Sequence, residues 1–370
     1  MKISNRLAVA IVMALITAVA GMTISQLIHR QLGQENLRHA IQQIKTEMNF
    51  HRIALMRYME EIDQDLALIS SGIIAPRIVT EMEKTFRELG QDATGYLQNR
   101  YIDSNPYKSG RRQQLVDARD GSAYSRLHAE IHPTMRAVAE SRGYYDIFLI
   151  SPTGDVVYTV YKETDYATNL DFGKFGATEL AGLFRDIRDD KEPGILRFVD
   201  FVHYKPSNNR PAAFIGTQIR QDDRVVGVLI FQLKTDSFRR LTGVSKMLGD
   251  HGEILVIGQD HLARTNSRQG GNESALELES RSDAVTRALA GGTGVLQTMD
   301  YRNREVLAGF APIQWHDVSW ALIVNKPISA IDDNIRWIIE IQFIFIPVIM
   351  LIAFLVGFLL AASEPEGEES

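Results

Sequence analysis

Cysteine is absent from the 370 residues, which removes a disulfide framework, a thiolate metal site and a cysteine nucleophile together. Either a reducing or an oxidising compartment therefore suits the chain. Nor is there an excess of positive charge: 40 Lys and Arg stand against 46 Asp and Glu, interspersed along the chain, which argues against a nucleic-acid surface. The nine histidines include no HExxH pair, and neither a Walker loop nor a GxSxG elbow occurs. No enzyme, cofactor or metal is expected. Asp250 and His251, being adjacent, point in different directions and read as a turn rather than as metal ligands.

Two long apolar runs are present. Leu7 to Ile28 is 22 residues without a charge, bounded by Lys2, Arg6, His29 and Arg30, and Ile341 to Ala362 is a second run of 22, entered through Arg336, Trp337 and Glu340. Each is long enough to cross a hydrocarbon core of about 30 Å. Basic residues near the start predict a cytoplasmic N-terminus, and a second span returns the C-terminus to the same side, leaving about 310 residues outside. A cleaved signal peptide is the alternative for the first run, since Ala18-Val19-Ala20 fits a cleavage site. Ala10, Ala14 and Ala18 form a small-residue ridge that either lets two copies pack in lipid or faces lipid. In the second run Pro347 frees the carbonyl of Phe343 and predicts a mild kink.

Between the runs the period changes from helix to strand. Apolar residues at Leu37, Ile41, Ile44, Met48, Leu55, Met59, Ile62, Leu66, Ile69 and Ile73 mark one face of a long helix, reaching about 60 Å from the membrane over some forty residues. That seam is expected to pack on the chain's own domain farther out and on a second subunit near the membrane, with Pro76 interrupting it. Ile78 to Tyr101 and Ala123 to Ser141 read as further helices, the latter ended by Gly143. Asp146 to Ile150 and Val156 to Tyr161 flank the turn Ser151-Pro152-Thr153-Gly154-Asp155 as a β-hairpin. With Ile195 to Tyr204, Ala212 to Ile219 and Val225 to Leu233 they predict one five-stranded antiparallel sheet. The pattern then repeats: Leu255-Val256-Ile257-Gly258 echoes Phe148-Leu149-Ile150-Ser151, and Val306 to Ile313 with Val318 to Val324 echoes the later strands. An α+β fold follows, with a long N-terminal helix, two tandem antiparallel-sheet modules and two flanking spans. The expected divisions are a cytoplasmic N-terminus (1–6), transmembrane helix 1 (7–28), helical segment (29–143), distal module (144–241), membrane-proximal module (242–327), connector (328–340), transmembrane helix 2 (341–362) and acidic cytoplasmic tail (363–370).

From the first span to the second, the chain resembles the double Cache sensor region of bacterial methyl-accepting chemoreceptors, shared with some histidine kinases and nucleotide cyclases. The most specific stretch runs from Leu248 through Gly249-Asp250-His251-Gly252-Glu253 to Asp260, then Leu262 and Arg264-Thr265-Asn266-Ser267-Arg268. Ala290-Gly291-Gly292-Thr293-Gly294, Phe310-Ala311-Pro312-Ile313 and Trp320-Ala321-Leu322 resemble the proximal module. Phe198-Val199-Asp200-Phe201 and Pro211 to Ile215 resemble the distal one. The resemblance implies PAS-like modules, a bacterial inner-membrane location with a periplasmic sensor, a homodimer, and a chemotaxis signal carried through the second span by a ligand bound distally. Two departures matter. The Arg-x-Trp-Tyr group of amino-acid-binding members is replaced by Asp165-Tyr166-Ala167-Thr168-Asn169. The acidic run after Ala362 also stands where a HAMP linker and signalling hairpin would continue, as expected of a truncated form or a receptor with a separate output partner. The alternatives are the sensor part of a histidine kinase or cyclase, or a membrane-anchored binding or scaffold protein.

A binding pocket needs a few fixed polar groups on apolar walls. Asp146 and Phe148 share a strand face, Tyr158 or Tyr161 lies on the neighbouring strand, and Asp165, Tyr166, Asn169, Asp200 and Tyr204 fall on covering segments. Acidic and aromatic groups together favour a small cationic ligand, while Arg210 and His203 keep an anion open. Lys162, Glu163 and Asp165 read as a solvated charge cluster. On that reading Asp165→Ala lowers stability by no more than about 0.5 kcal/mol.

Overall fold

The computed structural model describes residues 5–243, 246–269 and 274–363. The start of the expected cytoplasmic N-terminus and the acidic run at 364–370 lie outside the described residues. Helix α1 spans Asn5–Ser71 without a break, about 100 Å at 1.5 Å per residue. Its seam is legible in burial: Ile44, Met48, Leu55, Met59, Ile62 and Leu66 are all 3% exposed or less. They pack on the chain's own two modules, so this part of the seam is intramolecular. The outward face carries Phe50, Ile53, Met56 and Leu68, all exposed.

Helix α2 (Ile74–Glu88) takes Pro76 into its first turn, where a missing N–H is harmless. A short α3 follows at Ala93–Gln98, so the single helix expected over Ile78 to Tyr101 is divided near Gly90. Helix α4 (Ala123–Arg142) is N-capped by Ser122 and closed by left-handed Gly143.

Strands β1 (Asp146–Ile150) and β2 (Val156–Thr159) form the hairpin. Helix α5 (Glu179–Arg188) precedes β3 (Arg197–Tyr204), β4 (Arg210–Gln221) and β5 (Arg224–Lys234). These strands form an antiparallel sheet ordered β2-β1-β5-β4-β3. Period-2 alternation divides its two faces. Ile147, Leu149, Ile215, Leu229 and Phe231 join the core beneath α1, α2 and α4. Phe148, Ile150, Phe214, Val228 and Ile230 pack under Leu180, Leu183, Phe184 and Ile187 of α5, each such side chain contributing about 2 kcal/mol when buried.

A short α6 (Thr235–Leu241) leads to the second sheet. That sheet contains β6 (Glu253–Ile257), then helix α7 (Asp283–Leu289), β7 (Gly294–Met299), β8 (Glu305–Trp315) and β9 (Val318–Pro327), ordered β6-β9-β8-β7. Ile254, Val256, Leu322 and Val324 face α1, while Leu255, Ile257, Ala321 and Ile323 face α7. The α+β expectation of a long N-terminal helix and two tandem antiparallel sheets is what the chain forms. From β9 the backbone passes directly into α8 (Ile328–Ser363).

Among the described residues α1 is long and apolar enough to cross a membrane, and α8 carries a shorter apolar run, Phe343–Leu359. The two helices pack antiparallel, Gly21 opposite Ile346 and Gly357 opposite Ala10 and Met13. A Cβ at Gly357 would stand 3.1 Å from Ala10 Cα, so glycine is what allows the close approach. Ala10 and Ala18 are buried. In this structure the alanine ridge therefore serves contact with the chain's own second apolar helix.

Candidate functional site

The hairpin turn is closed by Ser151 N–H to Asp155 O at 2.9 Å and Gly154 N–H to Ser151 O at 3.0 Å. Gly154 adopts φ +88°, a region open to glycine at little cost. Asn169 belongs to this turn and not to a pocket. Its Nδ2 donates to Thr153 O and Asp155 Oδ1, both at 2.8 Å, while its Oδ1 accepts from Asp171 and Phe172 N–H.

Between β2 and Asn169 the chain turns inward. Lys162, Glu163 and Asp165 are 0%, 4% and 0% exposed, which overturns the expectation of a solvated charge cluster. The segment is held in uncommon backbone geometry: Lys162 has φ +53° and Ala167 φ +62°, a left-handed region that disfavours side chains with a Cβ. Three charges in a low-dielectric interior need partners, and Lys162 has the Asp146 carboxylate as the opposing charge that counters its burial.

On the α4 side, Lys162 Nζ donates to Val160 O at 3.0 Å and His132 Nδ1 at 3.1 Å, and sits 5.4 Å from the ring centroid of Tyr158. His132 Nε2–H donates to Gln113 O at 2.7 Å, so its Nδ1 accepts, from Tyr158 OH at 2.7 Å as well. Burial pushes the Lys162 ammonium well below its ordinary range. Burial, with Lys162 adding to it, lowers His132 to about 3. Tyr166 joins the same side, its hydroxyl 2.8 Å from that of Tyr124, which donates to Val157 O at 2.6 Å.

Asp146 and Asp165 meet Tyr204, whose ring belongs to the core under α5. Asp146 Oδ1 accepts from Val160 N–H at 2.6 Å and Tyr161 N–H at 3.2 Å, fixing the exit of β2. Its carboxyl is pushed well above the usual range by burial first and by Asp165 next. Asp165 Oδ2 accepts from Tyr204 OH at 2.6 Å. Its Oδ1 is buried and has no hydrogen-bond partner. Burial raises Asp165 to about 7, Glu163 adding to the rise and the Tyr204 hydrogen bond opposing it. Glu163 accepts from Tyr145 OH at 2.8 Å and stands 3.6 Å from Arg112 Nη1, and Tyr145 stacks on half-buried Tyr161 at 5.1 Å.

Of the nine residues singled out in the sequence, Asp146, Asp165 and Tyr204 come together, with Tyr161 beside them through its backbone. Phe148 and Tyr204 share the apolar floor under α5. Tyr158 and Tyr166 point to the α4 side. Asp200 is away from the group: its carboxylate takes Arg264 Nε at 3.0 Å, Arg264 Nη2 at 2.8 Å and Trp320 Nε1 at 3.0 Å, all from the second module. The β-bulge between Val199 and Val202 turns β3 there, and sequence alternation does not disclose a bulge. Tyr145 and His132 are participants absent from the sequence reading, which places Lys162 and Glu163 in solvent. The signal was available in one form: Asp146 sits at a position of β1 whose face is otherwise apolar.

No protein-family model and no curated protein matches the sequence. Among solved structures, the chain is similar to the extracellular domain of a chain assigned as a histidine kinase (12% identity, 82% of this chain and 96% of that one covered, TM-score 0.49). It is also similar to the periplasmic sensory domain of the Campylobacter jejuni chemoreceptor Tlp1 (12%, 74% and 98%, 0.40). A third is the ligand-binding domain of the Pseudomonas fluorescens chemoreceptor CtaA in complex with L-serine (12%, 75% and 98%, 0.36). They are sensing domains of the class that the sequence resembles. At these identities neither a ligand nor an output is carried from them to this chain.

Proposed function

We propose that the chain is the sensor region of a transmembrane receptor that binds a small cationic molecule in its distal module, at the group formed by Asp146, Asp165 and Tyr204. The observation that supports this most is the unpartnered, fully buried Asp165 Oδ1. A native interior rarely leaves a carboxylate oxygen without a donor, and an ammonium would supply one. The segment from Glu163 to Thr178 covers the group, so entry requires that segment to swing outward. Its left-handed Ala167 and its run of turns suit a cover that exchanges between two positions.

Binding transmits only if the ligand prefers one conformation. The route we favour begins at β3, whose Tyr204 contacts Asp165 and whose Asp200 contacts the second module, and ends at β9, which continues into α8. The receptor is a homodimer on this reading, with exposed Phe50, Ile53 and Met56 of α1 meeting their counterparts. Both apolar helices cross the bacterial inner membrane, both termini are cytoplasmic, and the sheets are periplasmic. Its output is chemotaxis signalling through α8.

The test is a thermal-shift screen of the detergent-solubilised chain against amines, amino acids and organic acids, with Asp165→Asn in parallel. Amines should raise the midpoint of the wild type and leave the variant unmoved. Stabilisation by carboxylates alone would reject the acidic site.

A further inference from the structure

Between Met48 and Leu55 the apolar seam of α1 carries a buried histidine. His51 is 6% exposed, and Glu47, one turn earlier, 8%. Both ring nitrogens of His51 meet oxygens. Nδ1 lies 2.6 Å from the carbonyl oxygen of Leu241, the last residue of α6, and Nε2 lies 3.2 Å from Glu47 Oε2. The final carbonyls of a helix have no donor within it, so Nδ1–H supplies what the Leu241 carbonyl needs.

A neutral imidazole carries a single hydrogen. With Nδ1–H given to Leu241, Nε2 is a lone pair set against a carboxylate oxygen, two acceptors facing one another. The Glu47 contact therefore holds only with a second proton on the pair, placed on Nε2 or on Glu47 itself, and the two residues titrate as one unit. The other charges on the surrounding elements are directed elsewhere. Within α6, Arg239 reaches Asp236 at 3.1 Å and Arg240 the Ser237 hydroxyl at 3.3 Å. Lys234, at the end of β5, faces Arg240 and Asp236. Lys326, at the end of β9, donates to Gln43 Oε1 at 3.0 Å and Met247 O at 3.2 Å. Arg52 follows His51 on α1, its Nε buried without a partner.

Burying a charged pair where an aliphatic side chain would pack costs desolvation that the attraction offsets only in part, so stability alone does not account for it. Its position does. Helix α1 carries the first apolar run, and α6 is the link from the first sheet to the second. We propose that His51 and Glu47 form a proton-held clasp between α1 and the link that joins the two modules, closed while the pair keeps its second proton and released when rising pH removes it. The clasp gives the chain a pH input at the junction of its modules, separate from the distal group.

Amide hydrogen exchange of the full chain in detergent micelles tests this, with Asp165→Asn throughout so that the distal carboxyl does not titrate. Exchange is followed by mass spectrometry from about pH 6.5 to about pH 8.5, the range in which an imidazole gives up its proton, and is corrected for the intrinsic rate. Opening releases a proton, so protection of residues 238–243 should fall as the pH rises, about fivefold or more across the range. Residues 213–219, in β4, should stay level. Glutamine at position 47 can give an amide N–H to the neutral ring. Glu47→Gln should therefore hold its protection to the highest pH. The proposal is overturned if residues 238–243 are level with pH while Glu47 and His51 are intact, if Glu47→Gln falls with them, or if residues 213–219 fall in step, which is global unfolding. Should Glu47→Gln fail to fold, the contrast between the two segments with the pair intact decides alone.

Discussion

At Asp165 burial and charge oppose one another, and the opposition makes a measurable pH dependence. The carboxyl rises from 3.8 to about 7 on folding, so the folded state holds its proton where the unfolded state has released it. Its contribution to stability is therefore full below about pH 4 and is lost as the pH rises through about 7. Urea unfolding of the solubilised chain should show stability falling across that window, with a shallower fall in Asp165→Asn. Some slope remains in the variant because Asp146 is also raised. Tyr204→Phe removes the side-chain hydrogen bond that Asp165 receives at 2.6 Å, a loss of about 1–3 kcal/mol. It also moves the Asp165 transition to higher pH. A variant as stable as wild type, with an unmoved transition, would mean that the Tyr204 contact is absent in solution. The exposed Asp165 inferred from its polar, loop-like sequence context fails here for a physical reason: local polarity says nothing of whether a later strand, β3, brings a tyrosine over the loop.

At the scale of elements, periodicity disclosed most of the fold and little of the coupling. The strands of both sheets, covered on both faces, show as short β-branched and aromatic runs between turn signals, and the seam from Ile44 to Leu66 follows the 3.6-residue spacing of a helix with one covered face. The contact that joins the modules has no such period. Arg264 is 3% exposed and reaches Asp200, 64 residues away, with two nitrogens, in the company of Trp320. Both residues fall in stretches that carry the resemblance, and the pocket reading took Asp200 as a ligand contact, but only the folded chain shows them meeting. Arg264→Met preserves length and removes the charge, leaving Asp200 with Trp320 Nε1 and the Phe201 N–H and Asp260 without its Arg264 partner. Breaking one side of a largely buried pair costs about 3 kcal/mol, to be read as a lowered urea midpoint. An unchanged midpoint would show that the modules are joined by their apolar contacts instead.

For the molecule as a whole, α1 and α8 are seated antiparallel through Gly21, Gly357 and Ala10, and the proposed signal is a displacement of α8 along that contact. The absence of cysteine makes the proposed dimer simple to examine, because an introduced thiol has no competitor. Ile53→Cys in membranes should give a disulfide-linked dimer under mild oxidation, whereas a cysteine at exposed Phe172 should not. Exclusive monomer at both positions would remove α1 as the interface. Central to the whole is the claim that an unpaired carboxylate in the distal module receives a cation. Calorimetric titration of the full chain with the best amine of the screen, from about pH 6 to about pH 8, tests it directly. Affinity should rise with pH around the Asp165 transition, and in Asp165→Asn it should be weaker and level with pH. An affinity that is independent of pH and indifferent to Asp165→Asn would contradict it.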